Sequence, residues 1–167
     1  MGLAAADAIR GITGLNVDLR WPNDLLIGAR KCGGILVESQ IDSKSLPHAV
    51  AGIGINVHQH EFPPGLASPA TSLDLETGSR ISRQSLLVAL LKSLEREASA
   101  LLDRAAAETI PARVERASTW IRDRNVVVHG PQACTGITAG LDEDGFLRVR
   151  TADGLVTVRT GGLRAKG

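Results

Sequence analysis

Between residues 2 and 13, apolar residues recur at helical spacing, with Leu3, Ala6 and Ile9 in an Ala-rich run. Gly14 is placed to end that helix. Met1 leads into it without the Ser, Thr, Asp or Asn that ordinarily caps the first N–H groups, which reads as a chain entering in the middle of a domain. Val17 to Arg20 then alternates as a strand, and Asp24 to Ile27 reads as its partner. A Gly28-Ala29-Arg30 turn leads into a strand from Gly33 to Gln40. A polar loop (Asp42, Ser43, Lys44, Ser45) precedes another strand from Ala49 to Val57. Strands in quick succession on short loops predict an antiparallel portion of a sheet.

From His58 to Ser79 the chain is rich in Pro, Gly and Ser and reads as a long irregular loop, a length that is usually functional. Ser82 opens a strong helix in which Leu86, Leu87, Leu90, Leu91, Leu94, Ala98, Leu101 and Leu102 form one wide apolar stripe. A second helical stretch runs from Pro111 to Trp120, with the proline tolerated in its first turn. After Arg124 the period changes to two. Five short strands within about 45 residues predict a small β-barrel, expected to dock on its neighbour because so small a core is weak alone. Asp144-Gly145 and Asp153-Gly154 are its hairpin signals.

The predicted fold class is α+β: a partial mixed β-sheet domain with helices packed on it (residues 1–122), then a small SH3-like β-barrel (residues 123–167). A length of 167 residues accommodates one ordinary domain and a small one. With aromatics at 2%, the core must be built from Leu, Ile, Val and Ala. A net charge of +1 offers no overall attraction for nucleic acid or an anionic membrane. Cys32 and Cys134 form no CxxC pair, so no disulfide framework is expected and a reducing cytoplasm fits. The N-terminus lacks the basic start and apolar run of a signal peptide, and no apolar stretch reaches the ~20 residues that span a bilayer.

Three strings carry candidate chemistry. Arg20-Trp21-Pro22-Asn23-Asp24 brings an amide and a carboxylate to a sheet end, although these are also ordinary turn residues. Lys31-Cys32-Gly33-Gly34 opens a strand on two glycines that weaken pairing. They suit a ligand lying against the backbone, with the Lys31 ammonium on a carboxylate or phosphate. A β-bulge with a solvated lysine accounts for them equally. In Gly52-Ile53-Gly54-Ile55-Asn56, the two-residue period puts Gly52, Gly54 and Asn56 on one face. A flat heterocycle could lie there with Asn56 at its edge, since an amide donates and accepts together as adenine requires. Close helix packing over the glycines is the alternative. No GxGxxG fingerprint or Walker loop occurs. The His58-Gln59-His60 pair has no partner in a metal pattern and reads as solvated. Glu95-Arg96-Glu97 reads as a solvated helix face, and Cys32 as packing.

In this order the strings resemble biotin protein ligases, whose pattern runs Lys-Trp-Pro-Asn-Asp, Lys-x-x-Gly-Ile-Leu-x-Glu and Gly-x-Gly-x-Asn. Here these are Arg20 to Asp24, Lys31 to Glu38 and Gly52 to Asn56. The resemblance continues through Ala70-Thr71-Ser72-Leu73 and the Ile81-Ser82-Arg83 helix start to Gly162-Leu163-Arg164. It implies ATP and biotin as substrates with Mg2+ assisting, a biotinyl-5′-AMP intermediate, and transfer of biotin to a lysine of a biotin carboxyl carrier protein. It further implies that Lys31 contacts the biotin carboxylate, that Arg20 holds phosphate and that Asp24 is a metal ligand or a base. Gly33 and Gly34 would floor the biotin pocket, while Asn23 belongs to the binding site. Asn56 would read adenine with Gly54 making room, and Arg164 would reach over the nucleotide.

No protein-only metal site is expected, and a homodimer is allowed. Two departures stand out. Arg20 replaces the family lysine, keeping charge but not geometry. The family's Gly-Arg-Gly-Arg loop, which belongs upstream of Met1, is absent, so a truncated form with little ligase activity by itself is expected. A non-catalytic carrier-binding module and a lipoate ligase are the competing readings.

Overall fold

The computed structural model describes residues 1–40 and 48–166; the predicted polar loop at Asp42 to Ser45 lies outside the described residues. The first helix, α1 (Gly2–Thr13), ends on Gly14 in the left-handed region (φ 73°), whose N–H bonds back to Arg10 O. Strands β1 (Asp18–Arg20), β2 (Asp24–Ile27), β3 (Arg30–Gln40) and β4 (His48–Ile55) form one sheet in sequence order, every neighbouring pair antiparallel. Lys31 and Ala70 add a parallel bridge.

The sheet's second strand shows how the two halves of the molecule share a framework. Side chains alternate across a strand. Leu25 enters a core with Ala5, Ala8 and Ile9 of α1, and Leu26 enters a second core with Trp120 and the β-rich C-terminal region. Both leucines are fully buried. One face of β2 thus supports the helices and the other seats the C-terminal strands.

The predicted long loop after β4 is only partly irregular. Its last third contains a short helix, α2 (Leu73–Thr77), capped by Ser72 Oγ accepting from Leu75 N–H. Thr71, Ser72, Leu73 and Asp74 are all buried. Five residues are too few for a helical period to stand out against the polar composition around them.

The long helix α3 (Arg83–Leu101) begins where expected, with Ser82 Oγ accepting from Ser85 N–H. Only part of its broad apolar stripe meets the core, through Leu86 and Leu90. Leu86, Ser93 and Glu97 are its buried residues, whereas Leu87, Leu91 and Leu101 stay more than half exposed. The second helical stretch is present as α5 (Ile110–Arg116), and a short helix that was not expected, α4 (Arg104–Glu108), precedes it. The predicted extension to Trp120 fails because Trp120 and Ile121 leave the helix to enter the second core.

Strands β5 (Arg122–His129), β6 (Cys134–Leu141), β7 (Leu147–Thr151), β8 (Gly154–Val158) and β9 (Gly162–Ala165) follow, ordered β8-β7-β6-β5-β9. Val158 from one edge strand and Leu163 from the other share a single core, so the sheet curls round itself. The predicted turns at Gly145 (φ 83°) and Gly154 (φ 123°) are present. Trp21 Nε1 donates to Gly145 O across to the sheet of β1–β4, at 3.3 Å.

Candidate active site

A short strand, a tight turn and a second short strand place Arg20 and Asp24 opposite each other, in register at the end of β1 and β2. The Arg20 guanidinium donates twice to Asp24 Oδ2, from Nε at 3.0 Å and Nη2 at 2.7 Å. Nη2 also reaches Ser68 Oγ at 2.8 Å, and the guanidinium lies 5.2 Å from the centroid of Trp120. Its side chain is 8% exposed, so these partners are what make a charge tolerable there. Asp24 Oδ1 pairs with Lys31 Nζ. One carboxylate therefore aligns two cations, Arg20 behind it and Lys31 in front.

Lys31 reaches that point through a β-bulge. Leu25 pairs with Gly33 and Leu26 with Lys31, leaving Cys32 as the extra residue. Cys32 is fully buried, and burial pushes its thiol up to about 12. It packs, as expected. Of the bulge alternative, one half holds: the bulge exists, but its lysine is ion-paired with Asp24 rather than simply solvated.

The three glycines at this place differ in their reasons. A Cβ on Gly33 would meet the Gly54 carbonyl oxygen at 2.6 Å, so the neighbouring strand excludes any side chain. Gly34 lies under Lys31, whose Cε and Nζ would be 3.4 Å from an added Cβ. At Gly54 an added Cβ would meet nothing within 4 Å, leaving bare backbone beside an open space. That space is a cavity of about 850 Å³, lined by Arg20, Asp24, Lys31, Gly54, Asn56 and Arg164 among others. Arg164 arrives from β9, so the C-terminal sheet supplies one wall.

The sequence-derived site residues thus converge on one cavity, Asn23, Gly33 and Gly34 included. Asn23 Nδ2 donates to Ile35 O at 2.9 Å, and Ile35 N–H returns a bond to Asn23 O, which braces the turn. Asn56 Nδ2 donates to Thr71 O at 3.0 Å. Sequence reasoning missed Phe62, Ser68 and His129 on the cavity wall. Ser68 is a serine among many, and only the chain reversal between β4 and α2 brings it to Arg20.

Two other readings need correction. His58 is not merely solvated: its Nδ1 meets Asp74 Oδ2 at 2.8 Å. The Ile81 backbone N–H, with His58 beside it, holds the Asp74 carboxyl below the usual range. Glu97 is not on a solvated face either. It is buried and receives Arg113 Nη2 at 2.5 Å.

Among the described residues no cluster of three or more His, Cys, Asp or Glu could hold a metal ion. Both oxygens of Asp24 already face cations. Mg2+ is ordinarily held by one or two carboxylates together with phosphate oxygens. The groups present here do not fit that role as they stand. No helix among the described residues is long and apolar enough to cross a membrane.

Residues 1–56 match the biotin/lipoate A/B protein ligase family, and residues 124–161 match the biotin protein ligase C-terminal domain. The chain is 32% identical over 165 residues to a biotin–[acetyl-CoA-carboxylase] ligase of Mycobacterium tuberculosis, covering 96% of this chain and 58% of that protein. It is 27% identical over 162 residues to the bifunctional ligase/repressor BirA of Escherichia coli, covering 97% and 50%. Among solved structures, a biotin protein ligase from Aquifex aeolicus in complex with biotin and ATP superposes with a TM-score of 0.83 at 27% identity. The match covers 99% of this chain and 69% of that one. A ligase-type α+β domain followed by this particular C-terminal sheet is the class that fold and site define. The chain belongs to the biotin protein ligase family. It spans about half the length of these two curated relatives (50% and 58%).

Proposed function

We propose that this chain carries the nucleotide side and part of the biotin floor of an ATP-dependent biotin–protein ligase. The observation that carries the reading is the Arg20–Asp24–Lys31 alignment at the head of a glycine-floored cavity. In the proposed reaction the biotin carboxylate attacks the α-phosphorus of ATP and pyrophosphate leaves, giving biotinyl-5′-AMP. The amine of a lysine on a biotin carboxyl carrier protein then attacks the mixed anhydride and AMP departs. Catalysis is positioning and charge stabilisation.

Lys31 is the cation that meets the biotin carboxylate and the charge developing on the α-phosphate. Asp24 aims Lys31. Arg20, largely enclosed by Asp24, Ser68 and Trp120, holds Asp24 rather than offering a free guanidinium to phosphate. Gly54 leaves room for adenine, with Asn56 at its edge, and Arg164 closes from the C-terminal sheet. No step is routed through Mg2+, for which the carboxylates present do not fit. We divide the chain functionally into residues 1–122 and 123–167.

The family description also includes lipoate ligases, so the test must separate the two acids. Calorimetry of the chain with biotinol-5′-AMP, a stable analogue of the adenylate, is expected to show binding that the corresponding lipoyl analogue does not match. Lys31→Ala is expected to weaken it. A folded chain that binds neither analogue, or prefers the lipoyl one, refutes the proposal.

A further inference from the structure

Four consecutive residues, 68–71, run past the cavity and bond to the Arg20 side chain, the Lys31 backbone and the Asn56 side chain. Ser68 Oγ accepts from Arg20 at 2.8 Å. Pro69 O accepts from Lys31 N–H at 2.7 Å, and Lys31 O accepts from Thr71 N–H at 2.9 Å. Thr71 O then accepts from Asn56 Nδ2 at 3.0 Å. A single short strap thereby sets the backbone of Lys31 and the side chains of Arg20 and Asn56.

The strap is fastened outside the cavity. Thr71 is fully buried, and its Oγ1 donates to Glu76 Oε1 at 2.5 Å. Glu76, on α2, is 11% exposed at its side chain and is held in turn by Arg30 at 2.8 Å. Arg30 precedes Lys31 in the chain, so the fastening closes a ring: Lys31, Thr71, Glu76, Arg30. Neither Thr71 nor Glu76 lines the cavity. A largely enclosed carboxylate bonded to a buried hydroxyl costs desolvation, and an apolar pair of the same shape would hold a simple loop as well. The polar pair instead fixes one position of the strap, because a hydrogen bond to a charged acceptor is directional where apolar packing is not.

We infer that Thr71 and Glu76 are positioning residues that hold Lys31 and Asn56 at the spacing that the biotinyl-adenylate requires. The inference rests on the ligase reading above, and its test separates the two.

Thr71→Val removes the hydroxyl and keeps the branched shape. In the ligand-free chain it is expected to speed amide exchange at Lys31 and position 71 by about tenfold, the worth of one hydrogen bond to a charged group. The amides of Val126 and Val128 in the C-terminal sheet should exchange at the wild-type rate, which a general loss of stability would not allow. Binding of biotinol-5′-AMP should weaken by about tenfold, matching a hydrogen bond to a charged group. Thr71→Ser should restore both readouts. Should Thr71→Val fail to fold, Glu76→Ala removes the anchor while leaving Thr71 in place and carries the same expectations. Unchanged exchange at Lys31, or faster exchange with undiminished binding, overturns the inference alone. A folded wild-type chain that does not bind the analogue overturns the ligase reading and this inference with it.

Discussion

Lys31 and Asp24 form an ion pair at the sheet end, on a carboxylate whose other oxygen Arg20 occupies. The three groups are unequally exposed, with side chains 8% accessible for Arg20, 15% for Asp24 and 40% for Lys31. That gradient separates structure from function. Asp24→Ala strands a nearly enclosed guanidinium and is expected to cost about 3 kcal/mol in urea unfolding, as breaking a buried pair does. Lys31→Ala removes a partly solvated partner and is expected to cost under about 1 kcal/mol. Yet Lys31→Ala should reduce analogue binding strongly. Equal losses of stability in the two variants would show that Asp24 does not serve Arg20 as described.

Gly33 and Gly54 form a second contrast. Alanine at Gly33 would place its Cβ 2.6 Å from a backbone carbonyl, and backbone cannot swing aside. Gly33→Ala is expected to destabilise by about 2 kcal/mol, within the range for overpacking. Alanine at Gly54 meets no atom within 4 Å, and removing a glycine restricts the unfolded chain. Gly54→Ala should leave the unfolding midpoint unchanged or slightly higher while weakening the analogue. A Gly54→Ala variant with wild-type affinity would mean that adenine does not lie on that strip.

What could be read from the chain, and what could not, divides by the range of the interaction. The left-handed cap at Gly14, the Ser82 cap and the turns at Gly145 and Gly154 depend on residues within a few positions of each other, and each was legible. Gly52, Gly54 and Asn56 share a face through strand period alone. The stripe on α3 is only partly covered, because hydrophobic spacing says which face is apolar, not whether anything covers it. Its buried face carries Ser93 and Glu97, and the reason for Glu97 is Arg113, on another helix. His58 and Asp74, 16 residues apart, are likewise joined only by folding. The strap at residues 68–71 was hidden in a stretch whose composition reads as loop, because it bonds largely through its own backbone to the distant Lys31 backbone and Asn56 side chain.

Glu97 supplies a pH dependence. The Arg113 hydrogen bond holds its carboxyl below the ordinary glutamate value of 4.5. A depressed folded-state pKa contributes stability that is complete above the unfolded value and lost as pH falls through the folded one. Wild-type chain should therefore lose stability as pH drops below 4.5, in part through Glu97. Glu97→Gln should be less stable at pH 7 and show a shallower fall across that acid range. Denaturant midpoints from pH 3 to 7, read for both chains, check this. Parallel curves would remove Glu97 from the acid response and leave it to other carboxylates such as Asp74, whose carboxyl is also held low.

The last prediction concerns how the C-terminal sheet serves the cavity. Arg164 lies on β9 opposite Val127 and is exposed, while its neighbour Leu163 is buried in the second core. Strand alternation thus fixes the direction of Arg164 by burying Leu163. An exposed cation contributes little to folding, so Arg164→Ala should keep the wild-type unfolding midpoint. It should weaken ATP by about fivefold at low salt, with the difference shrinking as salt screens the interaction. Binding of biotin alone should not change. Arg164→Lys keeps charge but not the planar fork and should fall between the two. Loss of biotin and ATP binding together would instead mean that the variant has shifted the C-terminal sheet, and a wild-type ATP affinity at low salt would remove Arg164 from the nucleotide side altogether.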